Sequence, residues 1–278
     1  MKPAELSPFS PRVSSLADAM GEVLQEAANG VVLPRFQRLS TQDISEKSPG
    51  DLVTSADQDA ERLIANGLAR LDPHARFVGE ESCARDPSLL DGLDDGNAWI
   101  VDPIDGTGNY AAGRGPFAMM AAYVSKGEVV TSAILDPLSG RLMTAERGAG
   151  AWFDGERLAS GCSCKSLSSL QGIVSHFQRP AAKQTAIERL EQHVDAILPT
   201  QRCAGAEYPR VASGKIGFAL YWRTLVWDHA PGVLFLEEAG GKAARLDGAP
   251  YRAGDPSGAI LLAHSPETWD QAAAVLSR

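Results

Sequence analysis

The 278 residues contain no apolar run long enough to cross a bilayer. The start has no basic region followed by an apolar stretch, so no signal peptide is expected and cytoplasmic is the default compartment. Cysteine is scarce. Cys83, Cys162, Cys164 and Cys203 are the only four, and no two make a C-x-x-C pair. That scatter fits reduced thiols better than zinc ligands or a disulfide framework, with Cys162 and Cys164 read as surface-loop thiols. Positive charge is also short: 26 Lys and Arg stand against 35 Asp and Glu, a net charge of −9. This balance argues against direct nucleic-acid binding. Internal repeats and low-complexity segments are absent.

What is present is an ordinary globular composition, enough for one large or two modest domains with a sizeable core. Residues 1–13 carry three prolines and few apolar anchors, and read as a loose tail. Leu16, Met20, Val23, Leu24 and Ala27 are spaced for a helix, with Ser14 or Ser15 as its N-cap. Residues 36–50 read as a loop or loose hairpin. Asp51 to Asp57 is extended and leads into a helix capped by Asp57, with Leu63, Ile64, Leu68 and Leu71 as the buried stripe. Phe77 to Glu81 reads as a strand ending in two glutamates, followed by a charged loop to about residue 97. Residues 117–137 read as a hairpin, and Leu142 to Phe153 as further strand. A turn to Gly, Ser and Cys near 155–165 marks a boundary, giving an N-terminal unit over 14–155 and a C-terminal unit over 156–278. Beyond it come a strand at Gly172–His176, a helix from Ala181 to Ile197 and a helix closed by Gly214. A strand from Phe218 to Trp222, a helix opened by Asp228, a strand at Ala259–Ala263 and a last helix from Pro266 complete the chain. Strands and helices alternate in blocks, which suggests stacked layers more than one doubly wound sheet.

The stretch on which this order turns is Trp99-Ile-Val-Asp-Pro-Ile-Asp-Gly-Thr-Gly-Asn109. Trp99, Ile100 and Val101 read as a short buried strand. Asp102 and Asp105 then interrupt it. They are not simple face-mates on an extended chain, so Pro103 and Gly106 must bend the backbone for both to converge. The bend exposes the Ile104 carbonyl between them. Two carboxylates and a carbonyl are hard oxygen donors suited to Mg²⁺, and Gly106 permits close approach of backbone N–H groups to an anion. Taken alone, the stretch also reads as a strand end and a turn. Three further acidic points lie at element edges: Asp51, Glu80-Glu81 and Asp228. Each alone also reads as a turn, a solvated strand end or a helix cap. Together they concentrate negative charge at a cost that bound cations would offset.

Gly79-Glu-Glu-Ser82, Asp102-Pro-Ile-Asp-Gly-Thr107 and Trp227-Asp-His-Ala-Pro-Gly232, with Asp51-Leu-Val-Thr54 before them, resemble the signatures of the inositol monophosphatase family, in the family's order. The resemblance runs from the first helix to the last. It implies an α+β fold, the layered αβαβα sandwich of the inositol monophosphatase and fructose-1,6-bisphosphatase type. It implies Mg²⁺-dependent hydrolysis of a small phosphate monoester, two or three Mg²⁺ ions, sensitivity to Li⁺ and a homodimer. Residue by residue, Glu80, Asp102, the Ile104 carbonyl, Asp105 and Asp228 resemble the metal ligands. Glu80, Thr107 and Asp51 resemble the groups that prepare the attacking water, and Glu81 a supporting residue. Asp105, Gly106, Thr107 and Asp228 resemble the groups that hold the phosphate and substrate. No Cys or Ser sits in a phosphate-cradling loop, so no phosphoenzyme is expected.

The substrate side departs from the pattern. Inositol-selective members carry a glutamate seven residues before the aspartate of the Trp-Asp motif, and here that position is Tyr221. Tyr221 and Trp222 read either as packed strand residues or as aromatics for a substrate ring, and Arg223 as a partner for a second anionic group. Inositol-1-phosphate is then one candidate; histidinol phosphate and the 3′-phosphate of adenosine bisphosphate are others. A regulatory binding protein with incidental phosphatase activity is the alternative from another class. Pro231 stands where a smaller residue is usual, at a place expected to be the first turn of a helix. His229 is expected to point away from the chemistry, and His176 to be a structural strand residue.

Overall fold

The computed structural model describes residues 15–48, 50–158, 166–255 and 258–277. The expected tail, Cys162 and Cys164 fall outside these residues, as does most of the expected 155–165 boundary.

Helix α1 (Leu16–Ala27) starts at a capping box: Ser15 Oγ accepts from Asp18 N–H while the Asp18 carboxylate accepts from Ser15 N–H. A π-helical turn over Ala28–Val32 and the short α2 (Leu33–Arg35) follow. Strands β1 (Ile44–Ser48) and β2 (Asp51–Thr54) form an antiparallel ribbon. Helix α3 (Ser55–Leu71) is capped by Thr54, not by Asp57. Asp57 is its third residue and closes a second capping box. Its buried stripe is Ala56, Ala60, Ile64, Gly67 and Leu68, whereas Leu63 and Leu71 are exposed. The small residues carry the stripe because α3 lies against α1; a Cβ on Gly67 would meet Val23.

Strand β3 (Arg76–Gly79) ends before the glutamates, which open helix α4 (Glu80–Arg85). Strand β4 (Asn97–Asp105), helix α5 (Thr107–Ala111) and strands β5 (Ala118–Ser125), β6 (Glu128–Asp136), β7 (Arg141–Glu146), β8 (Gly150–Phe153) and β9 (Glu156–Arg157) complete a seven-stranded sheet in the order β3-β4-β5-β6-β7-β8-β9. Only β3 and β4 are parallel. A second sheet, β11-β10-β12-β14-β13, is built from β10 (Gln171–Val174), β11 (Ala196–Leu198), β12 (Phe218–Tyr221), β13 (Lys242–Arg245) and β14 (Ile260–Ala263). The helix expected from Ala181 to Ile197 is shorter. Helix α6 spans Gln184–Glu191, and Ile197 belongs to β11, paired parallel with β10.

Helix α7 spans Ala204–Ala212, α8 Val226–Glu238 and α9 Pro266–Leu276. Successive residues of β4 and β5 face opposite layers. Trp99, Val101, Met119 and Ala121 pack with α1 and α3. Ile100, Met120 and Ala122 pack with α8. The other side of α7 and α8 meets the second sheet through Tyr208, Val211, Val233 and Leu236. Its far face is covered by α6 and α9. The layers are therefore α, β, α, β, α. Central α8 is apolar on almost every side, as burial between two sheets demands. Gly232 lets α7 approach it: a Cβ there would stand 2.3 Å from the Tyr208 ring. Pro231 is the sixth residue of α8, not a first-turn residue, because the helix begins two residues before Asp228.

Candidate active site

Strand β4 delivers the central groups. Its antiparallel pairing with β5 is regular to Asp102, then shifts before resuming at Asp105. Pro103 and Ile104 fill that irregularity, and the strand bulges. Gly106 follows with φ +86°, a conformation that side chains disfavour. A Cβ there would also crowd the Arg202 and Pro116 carbonyl oxygens, each 3.2 Å away. Asp102, Asp105 and Thr107 are buried.

A cavity of about 700 Å³ opens over this bend. Every site residue expected from the sequence lines it: Asp51, Glu80, Asp102, Ile104, Asp105, Gly106, Thr107, Tyr221 and Asp228. They come from the ribbon, α4, β4, α5, β12 and α8, so the whole layered fold is needed to assemble them. His176 lies beyond the end of β10, is exposed and lines the cavity, contrary to its expected place within a strand. His229 is buried with both ring nitrogens engaged, one by the Tyr208 hydroxyl at 3.0 Å and one by the Arg223 carbonyl at 3.1 Å. Burial pushes its pKa down to about 4, so the ring is neutral.

Thr107 does not engage Asp51. Its hydroxyl lies 3.1 Å from Asp57 Oδ1 and 2.9 Å from the Ile104 carbonyl. Asp57 Oδ2 takes the Thr54 N–H and hydroxyl, at 2.8 and 2.6 Å. One oxygen thus closes the capping box at Thr54 and the other faces Thr107. Burial raises the Asp57 pKa to about 7. Sequence reading took Asp57 only for a cap.

Lys47 was also not singled out. Its ammonium, on β1, lies 2.5 Å from Glu80 Oε1 and 3.1 Å from Glu81 Oε1. Across the cavity, Glu207 of α7 is fully buried. It accepts from the Thr200 hydroxyl at 2.8 Å, from Gln201 N–H at 2.5 Å and from the Tyr221 hydroxyl. Tyr221 therefore spends its one donor on Glu207.

The acidic groups repel one another. Burial, then the charges of Glu80, Asp105 and Asp228, hold the Asp102 carboxyl well above the usual range. Burial and then Asp105 and Glu80 do the same to Asp228. Burial lifts Asp105 to about 7, against the Gly205 N–H that its Oδ2 accepts at 2.6 Å. Asp102 Oδ1 is buried with no hydrogen-bond partner. An orphaned, acceptor-only oxygen among mutually repelling carboxylates fits a hard divalent cation. The expected ligands are nonetheless not drawn into a finished cage. Among the described residues, no group of three or more His, Cys, Asp or Glu stands ready to hold a metal ion. Lys47 occupies Glu80, and Asp105 is turned to Gly205.

A pH dependence follows. Asp57 and Asp105 bind protons more tightly folded than unfolded, where Asp titrates near pH ~4. Between that value and about 7 the folded state holds more protons, so metal-free stability falls as pH rises through this window. The melting temperature of chelator-treated protein should drop from pH ~5 to pH ~8, and saturating Mg²⁺ should remove most of the drop. A flat metal-free profile would contradict this charge arrangement.

With this geometry in view, the similarities to known proteins have a structural meaning. A sequence model of the inositol monophosphatase family matches residues 6–277. The chain belongs to the inositol monophosphatase family. It is thereby a phosphoric monoester hydrolase by class, of a metal-dependent family whose members are generally lithium-sensitive. An inositol-1-monophosphatase of Rhizobium meliloti is 31% identical over 248 residues, 87% of this chain and 90% of that protein. A fructose-1,6-bisphosphatase/inositol-1-monophosphatase of Thermotoga maritima is 32% identical over 209 residues, covering 74% and 77%. The crystal structure of the extragenic suppressor protein suhB from Bartonella henselae superposes with a TM-score of 0.79 at 25% identity, over 94% of this phosphatase and 98% of that chain. Among the described residues, no helix is long and apolar enough to cross a membrane.

Proposed function

We propose that this phosphatase hydrolyses a small phosphate monoester by direct attack of water, with Mg²⁺ as the divalent cation and no phosphoenzyme. The observation that carries the reading is that Glu80, Asp102 with its partnerless oxygen, Asp105, Asp228 and Thr107, bonded to Asp57, all line one cavity. Mg²⁺ held by Glu80, Asp102, the Ile104 carbonyl, Asp105 and Asp228 would neutralise phosphoryl charge and make water more acidic. The protein's part is positioning and proton movement. Glu80 orients the water. Thr107 Oγ accepts the water's proton while its own passes to Asp57 Oδ1, whose pKa near 7 suits that transfer at neutral pH. Backbone N–H groups of Gly106 and Thr107 hold the phosphoryl oxygens. The new P–O bond forms from water as the ester P–O bond breaks, and the leaving oxygen takes a proton from solvent.

Inositol-1-phosphate is the substrate suggested by the Rhizobium relative's name, and a sugar bisphosphate by the Thermotoga relative's. The Tyr221–Glu207 pair argues for a less polar leaving group than a polyol, because Tyr221 has no free donor. The test is phosphate release with Mg²⁺, with and without Li⁺. The panel holds inositol-1-phosphate, histidinol phosphate, adenosine 3′,5′-bisphosphate, fructose 1,6-bisphosphate and glycerol-2-phosphate. One preferred ester, Mg²⁺-dependent and Li⁺-inhibited, is the expected result. No release from any of them by folded, Mg²⁺-bound protein would sink the reading and favour a binding role.

A further inference from the structure

Helix α4 opens without a cap of its own. Gly79 stands at the N-cap and offers no side chain, and six residues are too few to hold a helix by themselves. The first N–H groups of a helix have no partner within it. Here the partner comes from α3. Glu61 Oε2 accepts from Glu81 N–H at 2.7 Å, and Glu61 Oε1 accepts from the Ser82 hydroxyl at 2.6 Å. The exposed Arg85 guanidinium lies 3.5 Å from the same Oε1. Glu61 itself is only 3% exposed, and a carboxylate that deep is costly unless it is hydrogen-bonded. Gly79 makes room for it. A Cβ there would collide with Glu61 Oε2, whereas the Gly79 φ of −100° is open to any residue. Three of the four residues of Gly79-Glu-Glu-Ser82 thus meet Glu61, and the fourth is Glu80. Asp57 lies four residues before Glu61, so one face of α3 carries the Thr107 contact and the α4 contact together.

We propose that Glu61 is a positioning residue for the metal centre. Through Glu81 N–H and the Ser82 hydroxyl it fixes the start of α4, and with it the direction in which Glu80 enters the cavity. Lys47 holds the Glu80 carboxylate from the ribbon side, and Glu61 holds the backbone that carries it. The inference rests on the reading of Glu80 as a metal ligand given above. What Glu61 supplies is an acceptor at the correct reach, not a charge for the cation. Its length therefore matters more than its ionisation.

Two substitutions separate reach from charge. Glu61→Asp keeps the charge and is one methylene too short for Glu81 N–H. Glu61→Gln keeps the length and one acceptor oxygen for Glu81 N–H, and its amide can donate to the Ser82 hydroxyl. Mg²⁺ affinity is measured by titration calorimetry on full-length protein well below its melting temperature. Glu61→Asp should weaken Mg²⁺ binding by about tenfold to a hundredfold, the range seen when the support of a metal ligand is lost. Glu61→Gln should stay within about threefold of the unsubstituted protein. A second readout needs no metal. In chelator-treated ¹⁵N-labelled protein, the Glu81 amide should exchange with solvent about tenfold faster in Glu61→Asp, the weight of one hydrogen bond, and at the unsubstituted rate in Glu61→Gln. Unchanged Mg²⁺ affinity in Glu61→Asp, or a loss in Glu61→Gln as large as that in Glu61→Asp, overturns the proposal. A merely structural role would lower the melting temperature and leave the Mg²⁺ affinity of the folded protein alone. Glu80→Gln, titrated alongside, reports on the reading beneath. If it weakens Mg²⁺ binding while Glu61→Asp does not, only the role of Glu61 is lost. If Glu80→Gln binds Mg²⁺ as the unsubstituted protein does, Glu80 is not a ligand, and the inference falls with that assignment.

Discussion

Asp102→Asn lowers Mg²⁺-dependent phosphate release by roughly a thousandfold, the scale seen when one well-placed electrostatic group is removed from an active site. Folding and chemistry separate cleanly at this position. Burial and the charges of Glu80, Asp105 and Asp228 push the Asp102 pKa well above the usual range, so removing its charge relieves repulsion in the metal-free protein. Asparagine is neutral and of the same shape. Chelator-treated Asp102→Asn should therefore melt at or above the temperature of the unsubstituted protein. Added Mg²⁺ should raise the melting temperature of the unsubstituted protein, because a ligand that binds only the folded state stabilises it. The variant should lose most of that rise. Near-normal activity in the variant would show that the Asp102 oxygen is not where the cation acts. A binding role independent of catalysis would survive the substitution.

Thr107→Val should cut kcat by about a hundredfold to ten-thousandfold, the range expected for losing a positioned proton-transfer group, with a smaller change in KM. Valine fills the space of threonine but cannot connect water to Asp57 Oδ1. Thr107→Ser keeps the hydroxyl and should keep most of the rate. Asp57→Asn should lose activity on a similar scale at a cost of about 1 kcal/mol in stability, because one amide oxygen still serves the Thr54 cap. The series thus distinguishes a hydroxyl relay from a cap. Thr107→Val within about threefold of the unsubstituted rate would dismiss the relay.

These two residues also illustrate what local sequence carries. The bend at Asp102–Gly106 was legible because proline, glycine and two carboxylates interrupt an apolar strand within five positions. The N-cap at Ser15, one of the two serines offered, and the last helix at Pro266 were legible for the same kind of reason, a local signal at a helix start. Asp57 was half legible. Its cap-side oxygen serves Thr54 three residues away, but its other oxygen meets Thr107, fifty residues on, across the β4 bend. Glu207 left a trace that a closer reading would have caught: it interrupts the buried stripe Ala204, Tyr208, Val211 of α7. Its partner Tyr221 lies on another element, so the pair exists only in the fold. Strand β13 was missed because Lys242-Ala-Ala-Arg245 has little strand character of its own. It is made a strand by antiparallel pairing with apolar β14. Helix α6 ends early because Ile197 is claimed by β10. Leu63 and Leu71 misled because apolar residues are not confined to the inside, whereas the small residues of α3 were where the helices touch.

The ribbon of β1 and β2 carries Lys47 on one strand and Asp51 on the other, paired in a register that brings Ser48 opposite Asp51. Lys47 is the cation that Glu80 and Glu81 hold. The two charges share one short antiparallel unit. At the proposed metal site, a divalent ion reaching Glu80 would exchange a tethered cation for a mobile one. Its affinity would be set by the difference between the two attachments, and a longer or looser ribbon would change it without altering a single ligand.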